Sequence, residues 1–185
     1  MRIISGEYRG RILKAPADNK TRPTSDRLRE TLFNILAPKI TDETRFLDLC
    51  AGTGAIGIEA VSRGALFSTF IDKSRRACAL IEENLDVLKI PEQQTEVVCD
   101  EAERFVARQK PTTKWDIAFF DPPYKIDYAV FLYEFGTNAE HLLNDDGILI
   151  VEHHAKNLLP DSVSDIRRWR IDKQSETNLS FYELK

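Results

Sequence analysis

From Arg45 onward, strand-length apolar runs alternate with helical periodicity, and this alternation constrains the fold more than any other feature. Phe46-Leu47-Asp48-Leu49-Cys50, Leu66 to Ile71, Thr95 to Cys99, Trp115 to Phe120 and Ile148 to His153 read as strands. Between them, Ala55 to Arg63 (closed by Gly64), Arg75 to Leu88, Glu101 to Arg108 and Ala129 to Leu143 read as helices. Strands separated by helices predict a parallel sheet with right-handed crossovers. The tail breaks the rhythm. Ile166 to Ile171 and Leu179 to Leu184 are strand-like, and only polar residues join them. Two strands with no helix between them require an antiparallel partner. The sheet is therefore expected to be mixed and seven-stranded, parallel except for one C-terminal strand.

The N-terminal part differs in composition. Arg2-Ile3-Ile4 and Arg11-Ile12-Leu13 suggest a short hairpin. Pro23-Thr24-Ser25-Asp26 is a helix start, Leu28, Leu32, Ile35 and Leu36 supply its apolar face, and Pro38 ends it. With 185 residues the chain amounts to about one domain plus an appendage. We divide it into residues 1–40, a basic extension, and residues 41–185. Residues 1–39 carry nine basic and four acidic side chains, a surplus of +5, so the rest holds −9 of the overall −4. A basic arm on an acidic body is the pattern of proteins that grip phosphates. Cys50, Cys78 and Cys99 are an odd number without C-x-x-C spacing, which argues against disulfides and zinc and for the reducing cytoplasm. No secretory signal or membrane-spanning run is expected, because the first residues lack an apolar stretch and the longest apolar run is of strand length.

Gly52-Thr53-Gly54-Ala55-Ile56-Gly57 follows the first strand of the alternating part and opens its helix. Alone, this G-x-G-x-x-G is a weak signal; Asp72, twenty residues after Gly52 and ending the next strand, strengthens it. An acid there can bind both hydroxyls of a ribose, which points to an adenosine-containing cofactor without saying which. Lys73, Arg75 and Arg76 could meet a 2′-phosphate, but Asp72 would repel it. Asp121-Pro122-Pro123-Tyr124 ends the fourth strand, at the edge where open α/β sheets bind ligands. Prolines have no N–H, so this turn presents acceptors only, the Asp121 carboxylate and the Pro122 carbonyl, followed by an aromatic ring. An amine on a planar ring wants two acceptors and a stacking surface.

The run from Leu47 to Gly54, then Asp72, then Asp121-Pro122-Pro123-Tyr124, resembles the S-adenosylmethionine-dependent amino-methyltransferases. More narrowly, Arg2-Ile3-Ile4-Ser5-Gly6 … Arg9-Gly10-Arg11 with Arg22-Pro23-Thr24 … Arg29-Glu30-Thr31-Leu32-Phe33-Asn34-Ile35-Leu36 resembles the RsmD family, bacterial 16S rRNA guanine-N2 methyltransferases. Asp72 stands where that family more often has Glu, and Cys50 and Thr53 replace the commoner Phe and Ser.

The resemblance implies a Rossmann-like class I methyltransferase fold of the α/β class, S-adenosylmethionine as cofactor, and 16S rRNA or a small-subunit assembly particle as partner. It implies no metal and no membrane. Asp48, Gly52, Gly54, Asp72 and Asp100 would bind the cofactor, with Asp100 at the adenine amine or capping the helix behind it. Asp121, Pro122 and Tyr124 would receive the base, and Arg9, Arg11, Arg22 and Arg29 the RNA phosphates. A DNA adenine-N6 or cytosine-N4 methyltransferase would use the same turn. An NAD-dependent oxidoreductase would leave the turn unexplained, and a silent RNA-binding module would not need Gly52, Asp72 and Asp121 together. His153 and His154 read as solvated edge residues, and Trp115 and Trp169 as core or strand-face residues.

Overall fold

The computed structural model describes residues 1–16, 26–108, 113–123 and 126–185. The elements are α1 (Asp26–Leu36), β1 (Arg45–Leu49), α2 (Ala55–Ser62), β2 (Phe67–Asp72), α3 (Arg75–Leu88), β3 (Thr95–Cys99), α4 (Ala102–Arg108), β4 (Trp115–Phe120), α5 (Tyr128–Thr137), α6 (Ala139–Leu142), β5 (Leu143–His154), β6 (Ser162–Val163), β7 (Ile166–Gln174) and β8 (Thr177–Leu184). Among the described residues one sheet has eight strands in the order β3-β2-β1-β4-β5-β8-β7-β6. The strands β1 to β5 run parallel, and β8 pairs antiparallel with both β5 and β7. The mixed sheet is as expected; the eighth strand is the two-residue β6 at the edge, too short to leave a period in the sequence.

Helices cover both faces because alternate strand residues point to opposite sides. Phe46, Ile117, Phe119, Ile148 and Ile150 pack with α1 and α2. Leu47, Leu49, Ala118, Phe120, Leu149 and Val151 pack with α4, α5 and α6 on the other face. Phe70 joins α2, α3 and the N-terminal hairpin through Ile58, Ile81, Ile3 and Leu13. Thus residues 1–16 and α1 share the core of the sheet-bearing part. The expected hairpin is present as a single bridge, Arg2 to Ile12. The helix start at Pro23-Thr24-Ser25 lies outside the described residues.

Two boundaries moved. The helix expected from 129 to 143 divides at Asn138, whose amide donates to the Glu134 carbonyl at 2.8 Å and ends α5. The expected turn Asn144-Asp145-Asp146-Gly147 is absorbed into β5: Trp115 pairs with Leu143, the register slips between Trp115 and Ile117, and Asn144 donates to Asp116 at 2.6 Å. A bulge takes up the extra residues without ending the strand. No described helix is long and apolar enough to cross a membrane.

Candidate active site

The chain crosses from one face of the sheet to the other between β3 and β4, so β1 and β4 diverge at a topological switch point, where open α/β sheets bind ligands. Leu49 lies between Ile71 of β2 and Phe120 of β4 in register. The next residues therefore flank the end of β1: Asp72 on one side and Asp121 on the other. The bonds continue past the strands, from Ala51 N to the Ile71 carbonyl at 2.9 Å and from Asp121 N to the Leu49 carbonyl at 3.4 Å. Asp100 N donates to the Asp72 carbonyl at 3.1 Å, which adds Asp100 to the same row. Strands lie about 4.8 Å apart, so the three steps of the row Asp121, Cys50, Asp72, Asp100 span about 14 Å.

The loop after β1 coils tightly. Cys50, Gly52 and Gly54 all have left-handed backbones, with φ of 63°, 57° and 76°. The glycines adopt this freely, while a non-glycine residue there costs about 1–2 kcal/mol. The loop is held from both sides. Gly52 N donates to Asp72 Oδ2 at 2.9 Å, and Ser74 N donates to Asp72 Oδ1 at 2.8 Å. Gly57 N, in the first turn of α2, donates to Asp48 Oδ2 at 2.9 Å. A side chain at Gly57 would meet the Phe70 ring at 2.4 Å, so the third glycine is required for packing of helix on strand.

Asp48 is 2% exposed and satisfies a helix N-terminus from beneath the loop. Burial pushes its carboxyl up to about 8; the Gly57 bond opposes this, and the negative fields of Asp121 and Asp72 add to it. Burial also pushes the Cys50 thiol up, helped by Asp72, Glu103, Asp121 and Asp48. The end of β1 thus gathers three acids, Asp48, Asp72 and Asp121, around the glycine loop. Among the described residues, no group of three or more His, Cys, Asp or Glu side chains is set to hold a metal ion.

Asp100 is half-buried; its Oδ1 accepts from Glu101 N at 2.9 Å, and Arg108 on α4 pairs with its other oxygen. Asp121 is half-buried and Pro122 buried, while Tyr124 lies outside the described residues. The Pro123 carbonyl accepts from Ile126 N at 3.3 Å.

Arg9 and Arg11 are exposed on the N-terminal hairpin, and Arg22 lies outside the described residues. Arg29, expected among the surface arginines, is instead 0% exposed. Its guanidinium donates to the Arg2 carbonyl at 2.8 Å and to Asp26 at 2.7 Å, because it sits on the α1 face that packs inward. His153, expected to be solvated, is 3% exposed, with Nε2 against Ser180 Oγ at 2.9 Å and Nδ1 against the His154 carbonyl at 3.1 Å. The β8 strand beside it supplies the partner that the sequence pattern could not name. Burial lowers its pKa below the usual histidine value. Trp115 is core, and Trp169 is a half-exposed strand-face residue packed on Phe181, both as expected.

Sequence reasoning missed two residues that hold the hairpin to the site. Glu59, 0% exposed, accepts from Ile4 N at 2.8 Å and Ser5 N at 3.0 Å. Asn84, 1% exposed, bonds Lys14 and Thr53. Each had a signal: a lone acid in an otherwise apolar helix, and an amide on the Ile81-Leu85-Leu88 stripe.

The strand order, the glycine loop with its acid and the acceptor-only turn together define an α/β methyltransferase. The chain belongs to the RsmD family: the model described as "Conserved hypothetical protein 95" matches residues 1–183. It is 36% identical over 186 residues to "Putative rRNA methyltransferase YlbH" of Bacillus subtilis, covering 100% of both chains. It is also 36% identical to "Ribosomal RNA small subunit methyltransferase D" of Escherichia coli, covering 100% of this chain and 88% of that one. The solved structure "Putative methyltransferase yhhF from Escherichia coli" superposes with a TM-score of 0.85 at 35% identity, covering 100% of this chain and 98% of that one.

Proposed function

We propose that this chain transfers a methyl group from S-adenosylmethionine to the exocyclic N2 of a guanine in 16S rRNA, free or in a small-subunit assembly particle, in the cytoplasm. The observation that carries this reading is the placement of Asp121 and Asp72 on the two sides of the β1 end, one heading an acceptor-only turn and the other holding the glycine loop.

The residues fit the cofactor. A Cβ at Gly52 would meet nothing nearer than the Cys50 carbonyl at 4.0 Å, so the loop backbone lies open beside Asp72. Asp72 takes the ribose hydroxyls and Asp100 the adenine amine. Gly52 and Gly54 leave the backbone open to the methionine end. Asp48 works from behind, fixing the first turn of α2. When bound, S-adenosylmethionine supplies an electrophilic methyl group on sulfur.

The chain's own residues prepare the nucleophile. The Asp121 carboxylate accepts one N–H of the guanine amine and the Pro122 carbonyl accepts the other. This pyramidalises the nitrogen and frees its lone pair from the ring. With a bound S-adenosylmethionine supplying the methyl group, the surplus proton of the methylated amine would pass to the Asp121 carboxylate and on to water. Most of the acceleration comes from positioning. Tyr124 stacks on the base, worth about 1–3 kcal/mol, and the base must leave any helix to reach it. Residues 1–40, with Arg9, Arg11 and Arg22, hold RNA phosphates, and residues 41–185 are the catalytic part. Arg29 positions the arm by its bond to Arg2.

Asp121→Ala abolishes methyl transfer while calorimetric cofactor affinity stays within about twofold, a difference below ~0.5 kcal/mol. Wild-type turnover in that variant removes the assignment. Nucleoside mass spectrometry of methylated rRNA identifies N2-methylguanosine; N6-methyladenosine or N4-methylcytidine there would replace the target.

A further inference from the structure

We infer that Asn84 is a positioning residue that couples the N-terminal hairpin to the glycine loop, so that RNA held by the hairpin and cofactor held by the loop bind cooperatively. The inference rests on the functional reading for the identity of the two ligands, and on the structure for the link between their sites.

The Asn84 side chain uses both ends of its amide. Oδ1 accepts from Lys14 N at 2.8 Å. Nδ2 donates to the Lys14 carbonyl at 3.2 Å and to the Thr53 carbonyl at 3.0 Å. Two carbonyls and one N–H as partners fix which end is oxygen, and only an amide satisfies all three. Lys14 follows Leu13, the buried residue that anchors the second arm of the hairpin. Thr53 stands between Gly52 and Gly54, both left-handed. The peptide between Thr53 and Gly54 is held on both sides: its N–H donates to the Ala51 carbonyl at 2.7 Å, and its carbonyl accepts from Asn84. Asn84 therefore joins a peptide of the cofactor loop to the base of the hairpin.

Further contacts tie the hairpin to the loop and to α2. Met1 Sδ lies 4.0 Å from Thr53 Oγ1. On α2, which starts from the loop, Glu59 holds Ile4 and Ser5, and Ser62 Oγ accepts from Tyr8 N at 3.0 Å and donates to the Ser5 carbonyl at 2.6 Å. Gly6 approaches the Ser62 carbonyl so closely that a Cβ would lie 1.7 Å from it. Phosphates on Arg9 and Arg11 would settle a body whose other end grips the loop. By linkage, whatever RNA does to cofactor affinity, cofactor does to RNA affinity.

The test is calorimetric titration of S-adenosylhomocysteine, with and without a 16S rRNA fragment. In the wild type, RNA tightens binding about fivefold or more, the low end of typical couplings. Asn84→Asp is isosteric and keeps the acceptor for Lys14 N, but sets an oxygen against two carbonyls. It weakens RNA-free binding about tenfold, raises the cofactor KM while saturated kcat stays within about twofold, and loses the RNA response. Lys14→Pro removes the N–H given to Asn84 and, with it, an exposed ion pair to Glu83 at 3.1 Å that contributes little; it keeps RNA-free affinity and loses the response, which separates coupling from damage to the fold. An unchanged RNA response in both variants, or a loss of kcat at unchanged KM, overturns the inference. A wild type that binds no RNA overturns the functional reading and the coupling with it, whereas RNA-free affinity in Asn84→Asp tests the hold on the loop independently.

Discussion

Two hairpins end this chain, and they are held in opposite ways. The N-terminal one has one bridge, three main-chain bonds from Ile3 N, Gly10 N and Leu13 N, each at 2.9 Å, and two buried anchors, Ile3 and Leu13. Arg9 N and Arg11 N bond within the turn, Glu7 N bonds the Ser62 carbonyl, and side chains of Glu59, Ser62 and Asn84 meet Ile4, Ser5, Tyr8 and Lys14. The C-terminal one, β7–β8, is a full ladder continuing into β5, with Leu179, Phe181 and Tyr182 all 0% exposed. The first can loosen at the cost of a few side-chain bonds. The second cannot move without opening the sheet. Regions that must respond to a ligand come from the low-stability end of a fold, and here that end carries the exposed Arg9 and Arg11.

The largest effect breaks the comparison on its rigid side. Phe181→Ala is expected to cost about 3–5 kcal/mol and to lower the stability of the whole protein in one urea transition. A separate early transition for β7–β8 would show that this hairpin also moves alone.

Glu59→Gln strikes the mobile side. The amide accepts one N–H less well, and Arg63, paired with Glu59 at 2.8 Å, loses its partner. A loss of about 1–3 kcal/mol is expected, with hydrogen exchange accelerated at Ile4 and Ser5 but not from Leu179 to Tyr182. Uniform acceleration would erase the distinction.

Asp48→Asn examines the loop to which the N-terminal hairpin is tied. Asp48 holds its proton to about pH 8 when folded, against a reference value of 3.8. Folding thus takes up a proton between those values, and this contribution to stability is full below about pH 4, falls as pH rises, and is lost beyond about pH 8. Asn removes that slope in the cofactor-free protein, so the variant is the more stable of the two at pH 9. Thermal melts from pH 5 to 9 with parallel curves for both proteins would contradict the assignment.

Smallest in stability is Arg9→Ala with Arg11→Ala. Both side chains are exposed, so unfolding should change by no more than about 0.5 kcal/mol. The slope of log RNA affinity against log salt should drop by about one for each arginine removed. An unchanged slope would take the arm out of the interface.

The order of elements was readable because each carries its own period. Residues 75–88 and 115–120 form the expected helix and strand, and Asp72 and Asp121 close strands at the expected edge. Elements without a period were not readable: the two-residue β6, and the bulge that draws Asn144 into β5. The site was legible as residue types, less so as surroundings. Asp48 entered the expected site through the family resemblance, and its place beneath α2 depends on Gly57 lying against Phe70.

Local pattern was enough to set the alternation, the glycine loop and the sequence of acids along one edge, because periodicity and turn chemistry act over a few residues. The tertiary structure chose the long-range partners: Arg29 inward to Arg2 and Asp26, His153 onto Ser180, and Glu59 and Asn84 onto the N-terminal hairpin. A polar side chain taken out of water must find a partner, and which one it finds depends on which chain segments packing brings beside it.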